Sequence, residues 1–264
     1  MTSRQEKAIN LPGVVLALIA LFAAIHLWRS YLPAREDFAL LARFAFVPAR
    51  LTFGFDAAGV SAAFNELLRT DPDRAQALRY FLGDGAPRWS SLITYAFLHG
   101  DWTHLGFNAL WLAAFGSAVA RRFGAARFLG LCAATAVGGA LAHLAAHRFD
   151  LQPMIGASAA VSGTMAAAAR FAFAHRGALG PGGGWPGEER HNAPALRLSE
   201  LPRQRSAMMF LGVWFASNLI FGLTGQAMGL SDAPIAWEAH VGGFLVGLLA
   251  FGWFDPRPSM RLPQ

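Results

Sequence analysis

Cysteine is nearly absent: Cys132 is the only one in 264 residues. A single thiol excludes an intrachain disulfide framework and any zinc or iron–sulfur site built from cysteines. Charge is scarce as well, at 14%, where a soluble domain carries about 25%, so a water-soluble globule is disfavoured. What the chain has is apolar bulk, with 55% hydrophobic residues, 28 glycines and a mean hydropathy of +0.37. That much apolar surface also excludes a disordered polymer. The composition is that of a polytopic membrane protein.

Apolar runs occupy Leu11–Leu27, Leu105–Ala120, Phe128–Ala146, Ile155–Ala169, Ala207–Leu223 and Ile235–Phe254. Each approaches the length that crosses about 30 Å of hydrocarbon at a rise of about 1.5 Å per residue. Six spans put both ends of the chain on one side. With that side cytoplasmic, it receives thirteen of the 22 basic residues, among them Arg121, Arg122, Arg127, Arg170, Arg197, Arg203 and Arg205. The net charge of +6 therefore reads as membrane topology, with no nucleic-acid surface. The first run passes into Trp28, Arg29 and Tyr31 without a small-residue cleavage site, so a retained signal anchor is expected.

Between the first two spans, residues 34–101 form an outer segment too long for a simple connection. Asp71-Pro72-Asp73 reads as a helix start and Gly83 as its stop, with Ala75, Leu78 and Leu82 on one apolar face. Phe38, Leu41, Phe44, Phe46 and Phe53 alternate with Arg43 and Arg50, a pattern suited to the headgroup layer. The plainer expectation is that these pieces pack on the outer ends of the spans. Residues 176–205, with the run Gly180-Pro181-Gly182-Gly183-Gly184, read as a polar cytoplasmic loop.

Polar side chains in hydrocarbon are costly and mark candidate sites. His104 and Asn108 lie on the second span, Ser158 on the fourth and His240 on the sixth. Counting from the charged residues at the far boundary, Ser158 lies roughly 12 Å, His240 roughly 8 Å, Asn108 roughly 10 Å and His104 about 4 Å below the outer edge. Three spans thus bring polar groups to one level. A serine hydroxyl becomes a useful nucleophile when a base takes its proton, and histidine suits that role near neutral pH. Gly156 and Ala157 precede Ser158 at a helix start, where free N–H groups can face a developing oxyanion. His104 and Asn108, one turn apart, can donate to a single oxygen. Gly243 and Gly247 share a face with His240 and permit close approach of a partner helix, the alanine-rich fourth span being the natural one.

Gly156-Ala157-Ser158, the pair His104 and Asn108, and Ala239-His240 followed by Gly243 and Gly247 together resemble the rhomboid intramembrane serine proteases. The resemblance covers residues 88–254 and implies an all-α membrane fold, a six-helix bundle with a long, partly embedded first outer loop. One transmembrane domain at 11–255 would lie between tails at 1–10 and 256–264. It implies a catalytic dyad of Ser158 and His240 without a third acid. It also implies an oxyanion site from His104, Asn108 and the Ser158 N–H, with Gly156 beside it. The implied reaction is hydrolysis of peptide bonds in or near transmembrane segments of other membrane proteins within the bilayer, in an inner membrane, with no cofactor. Substrate helices would enter near the second and fifth spans. Two positions depart from the family pattern. Ala159 stands where glycine often follows the nucleophile, and its methyl group is expected at the oxyanion pocket. Ser162 stands where an aromatic ring commonly underlies the histidine, leaving Trp237 or Phe244 to support His240.

The alternative is an inactive rhomboid-like protein that binds membrane clients; retention of Ser158 and His240 speaks against it. A transporter would show matching halves or broken helices, and neither is evident. His143 and His147 are spaced i, i+4 but lack the glutamate of a His-Glu-x-x-His motif, and read as polar residues at the outer end. His99 reads as a local cap near the interface. Trp214, Phe215 and Phe221 read as lipid-facing.

Overall fold

A computed structural model of the chain describes residues 11–174, 194–224 and 235–256. The stretches 1–10, 175–193, 225–234 and 257–264, which take in Arg176, Arg190, the glycine run from Gly180 and most of both tails, lie outside the described residues. The side chain of Phe221 lies outside them too.

The described chain has helices as its regular elements, joined by loops, with one isolated bridge between Phe46 and Met154. It begins with α1 (Gly13–Ser30) and continues into the outer segment with α2 (Ala34–Phe44), α3 (Pro48–Thr52), α4 (Ala57–Thr70), α5 (Pro72–Leu82) and the short α6 (Ser91–Thr94), extended by a 3-10 turn at Tyr95–Phe97. Next comes one rod made of α7 (Trp102–Trp111), a π-helical turn at Leu112–Gly116 and α8 (Ser117–Phe123). Gly124, at φ 77°, turns the chain into α9 (Ala125–Ala146). The bundle is completed by α10 (Ser158–Ala172), α11 (Arg205–Thr224) and the nearly continuous pair α12 (Trp237–Leu249) and α13 (Phe251–Phe254). Taken singly, α1 and α9 are the described helices long and apolar enough to cross a membrane. Among the other rods, the one from α7 to α8 is interrupted by the π-helical turn, α10 has only 15 residues and α12 only 13.

The middle of the bundle is α10, where all residues from Ala159 to Ala172 except Arg170 are buried. Its alanines make a thin rod, and α9 and α12 close on it. A Cβ at Gly243 would strike the Ala159 carbonyl, and one at Gly247 the Gly163 carbonyl. On the other side, Gly139 of α9 faces the Ala159 methyl group, and Gly163 faces Thr135. The α12 glycines meet α10 backbone to backbone, while Gly139 and Gly163 meet small side chains, and a larger residue at any of them would wedge the helices apart. At the far end the Arg122 guanidinium pairs with Asp255 at 2.8 Å, both side chains buried, and lies over the rings of Phe171 and Phe251. Arg170 donates to the carbonyls of Leu196 and Leu248. Arginines that mark the boundary in the sequence therefore also clamp helix ends.

In the outer segment the helix expected from Asp71 to Gly83 is α5. Asp71 caps the Arg74 N–H and Gly83 ends the helix at φ 58°. Its buried face is Ala75, Leu78 and Phe81, with Leu82 turned half out. Phe46 and Arg50 do not lie in a headgroup layer. Phe46 is fully buried against Tyr95, and Arg50 reaches inward to the Ala42 and Ala86 carbonyls and to Asp84. The segment also grips the chain that leads to Ser158. Phe46 and Met154 exchange N–H···O bonds of 3.0 and 2.7 Å, and the Gly156 N–H donates to the Tyr95 carbonyl at 3.0 Å. The Tyr95 hydroxyl in turn donates to the Ala136 carbonyl of α9. Packing on helix ends is thus only part of its role.

Candidate active site

The approach to the site begins with Met154 to Ala157, held in register by these bonds. Gly156 adopts φ 120°, in the region that favours glycine. Its Cβ position is occupied: a methyl group there would lie 2.6 Å from His104 Nε2 and 3.8 Å from Ser158 Oγ. The absence of that one carbon lets an imidazole and a hydroxyl converge on the same point. Ser158 then opens α10, whose start has no side-chain cap. Its first-turn N–H groups keep the partial positive charge of a helix N-terminus.

On α12, His240 Nε2 lies 2.8 Å from Ser158 Oγ. The other ring nitrogen, Nδ1, lies 2.5 Å from Asn218 Oδ1 of α11. The Asn218 amide also donates through Nδ2 to the Trp214 carbonyl at 2.9 Å. That second bond fixes which end of the amide faces His240, because only the NH₂ end can donate. Asn218 Oδ1 accepts, so His240 Nδ1 carries the proton and Nε2 presents a lone pair to the serine O–H. This is the tautomer a general base requires.

The sequence expectation for support of His240 is corrected here. Phe244 stacks on Trp214 at 4.2 Å, and Trp237 packs toward Gly222. The support comes from Asn218, a residue that sequence reasoning missed. Its signal was an amide inside an apolar run, the same criterion that selected Asn108. That signal lies among Trp214, Phe215 and Phe221, aromatic residues that on sequence read as lipid-facing. Trp214 is likewise corrected, since it is buried, while Phe215 is exposed.

His104 belongs to the first turns of α7. Asp101 caps that helix by accepting from the His104 N–H at 2.8 Å. The Gly100 N–H points to His104 Nδ1 at 3.5 Å, which leaves Nε2 as the donor facing Gly156 and Ser158. Asn108 is buried and donates to the His104 carbonyl at 3.0 Å, a bond that uses one of its two amide hydrogens. Ala159 does not crowd this pocket: its methyl group faces Gly139 of α9. His99 is no surface cap. It is fully buried against Phe22 and His104, its carbonyl accepts from Arg29, and burial pushes its imidazole down to about 3.

A family model described as the rhomboid domain matches residues 86–256. The chain belongs to the rhomboid family. A curated relative, "Rhomboid protein 1, mitochondrial" of Saccharomyces cerevisiae, is 28% identical over 183 residues, 66% of this chain and 44% of that protein. The chain therefore spans less than half the length of that relative. Rhomboid membership makes this a membrane protein, from a family of intramembrane proteases and inactive homologues.

Proposed function

We infer that the chain is an intramembrane serine endopeptidase that cleaves peptide bonds in or near transmembrane segments of other membrane proteins. The observation that supports it most is the 2.8 Å approach of His240 Nε2 to Ser158 Oγ, with Asn218 on the opposite nitrogen. In this reading His240 takes the hydroxyl proton as Oγ attacks the substrate carbonyl carbon. The tetrahedral oxyanion is met by the Ser158 N–H, His104 Nε2 and Asn108. His240 then returns the proton to the leaving amine, and water hydrolyses the acyl-enzyme by the same route. Substrate helices would arrive near α7 and α11, each of which carries exposed apolar side chains: Phe107 and Leu110 are each 59% exposed, and Val213 66%. The domain would run over residues 11–255, in an inner membrane with both ends cytoplasmic, as the basic-residue bias suggests.

The test is labelling of the purified protein in detergent with a fluorophosphonate, alongside cleavage of a model transmembrane substrate. Ser158→Ala and His240→Ala should abolish both. For His104→Ala, loss of an oxyanion donor should lower turnover about 10²–10³-fold. Cleavage that survives in either dyad variant would overturn the dyad, and neither labelling nor cleavage by wild type would leave the inactive, client-binding reading standing.

A further inference from the structure

Near the end of the bundle where α9 finishes and α12 begins, three potential metal ligands meet: His143 from the last turn of α9, His147 at its C-cap, and Glu238 from the first turn of α12. The glutamate absent from any His-Glu-x-x-His motif is supplied here by another helix. Glu238 Oε1 lies 2.9 Å from His147 Nε2, and Glu238 Oε2 lies 3.7 Å from His143 Nδ1. One ligand atom from each residue falls within 4.8 Å of the other two. Ligands about 2.0–2.1 Å from a tetrahedral Zn²⁺ stand about 3.4 Å from one another. The two separations run to different oxygens of the Glu238 carboxylate and fall either side of that figure, and all three ligand atoms lie within 4.8 Å of one another, so side-chain adjustment of about an ångström would close the set.

A second observation points to a ligand. His143 is only 6% exposed, and its Nδ1 has no hydrogen-bond partner. At 3.7 Å the Glu238 carboxylate is too far to accept from it. A buried imidazole nitrogen left unpaired costs free energy that a coordinated cation would recover. Two nitrogens and one carboxylate oxygen, with no thiolate, form a donor set suited to Zn²⁺, and three protein ligands leave a fourth position for water.

We propose that His143, His147 and Glu238 bind a divalent transition-metal ion of the Zn²⁺ class, which clasps the start of α12 to the end of α9. Glu238 precedes His240 by two residues, so occupancy would hold the turn from which the candidate base projects. Binding itself does not rest on the protease reading.

The test uses the full chain without a histidine tag, stripped with chelator and titrated in detergent with ZnCl₂. CoCl₂ serves as a spectroscopic probe of coordination. Wild type and Ser158→Ala should each take up one equivalent, with a tetrahedral Co²⁺ absorption band. His147 is half exposed, so His147→Ala should fold as wild type does, checked by its thermal melt. That variant and Glu238→Gln should each bind at least about tenfold more weakly and lose the band. No uptake by wild type, or equal uptake by both variants, would overturn the site and reduce it to a hydrogen-bonded pair of His147 and Glu238. Uptake in Ser158→Ala keeps the result independent of whether the chain is a protease.

Discussion

Asn218 sets a residue-scale expectation for catalysis. In the proposed mechanism His240 becomes an imidazolium on accepting the serine proton, and its Nδ1–H bond to Asn218 would then be charge-assisted. Hydrogen bonds to charged groups contribute roughly 1.5–3 kcal/mol. Asn218→Ala should therefore lower kcat by about 10–100-fold, with KM for a transmembrane substrate little changed and the melting temperature near wild type. Asn218→Asp should restore part of the rate, since a carboxylate also accepts. Equal losses in kcat and stability would make the amide a packing residue only. Ser158, His240, His104 and Asn108 were legible in the sequence because a polar group in an apolar run announces itself. Asn218 obeys the same rule, but its signal sits among aromatic neighbours such as Trp214 and Phe215. Glu238 was illegible for another reason. Its partners lie about ninety residues earlier, and no local spacing encodes a contact made by the docking of two helices.

At the scale of elements, the close-packed trio of α9, α10 and α12 is specified by small residues. Gly243 and Gly247 could be picked out beforehand, because small side chains spaced four apart on an apolar helix signal backbone approach. Their counterparts Gly139 and Gly163 became visible only once the helices were set side by side. Gly243→Leu would press four carbons into the Ala159 carbonyl. Overpacking of this kind typically costs 1–3 kcal/mol or more. The variant should show a clearly lowered unfolding midpoint in detergent, whereas Gly252→Leu, whose Cβ would meet nothing within 4 Å, should match wild type. The outer segment was the hardest element to read. Its capping signals gave α5 correctly, but Phe46 and Arg50 read as interfacial on composition and are buried by tertiary contacts instead.

For the whole molecule, the six apolar runs forecast the six rods, although the π-helical turn at Leu112–Gly116 had no counterpart in the periodicity. Global stability should depend on pH through His99. In the fold its imidazole is held neutral by burial, down to about 3, whereas unfolded it titrates near about 6.5. Below that value the unfolded chain binds a proton that the folded one refuses. The stability is thus fully present above about pH 6.5 and is lost as pH falls toward 3. Unfolding midpoints measured in detergent between pH 7 and pH 4 should fall for wild type. They should fall less steeply for His99→Gln, and identical slopes would remove His99 from the account.

One arrangement has a consequence for timing. His240 is tethered on one side to α10, locked in the glycine-packed trio, and on the other to α11, whose flank is largely bare. Any excursion of α11 that admits a guest helix would also release the Nδ1 proton from its acceptor, letting the ring swivel. On the proposed protease reading, a wall that swung out to admit cargo would be the same wall that holds the base steady, and bond scission would wait until it had swung back.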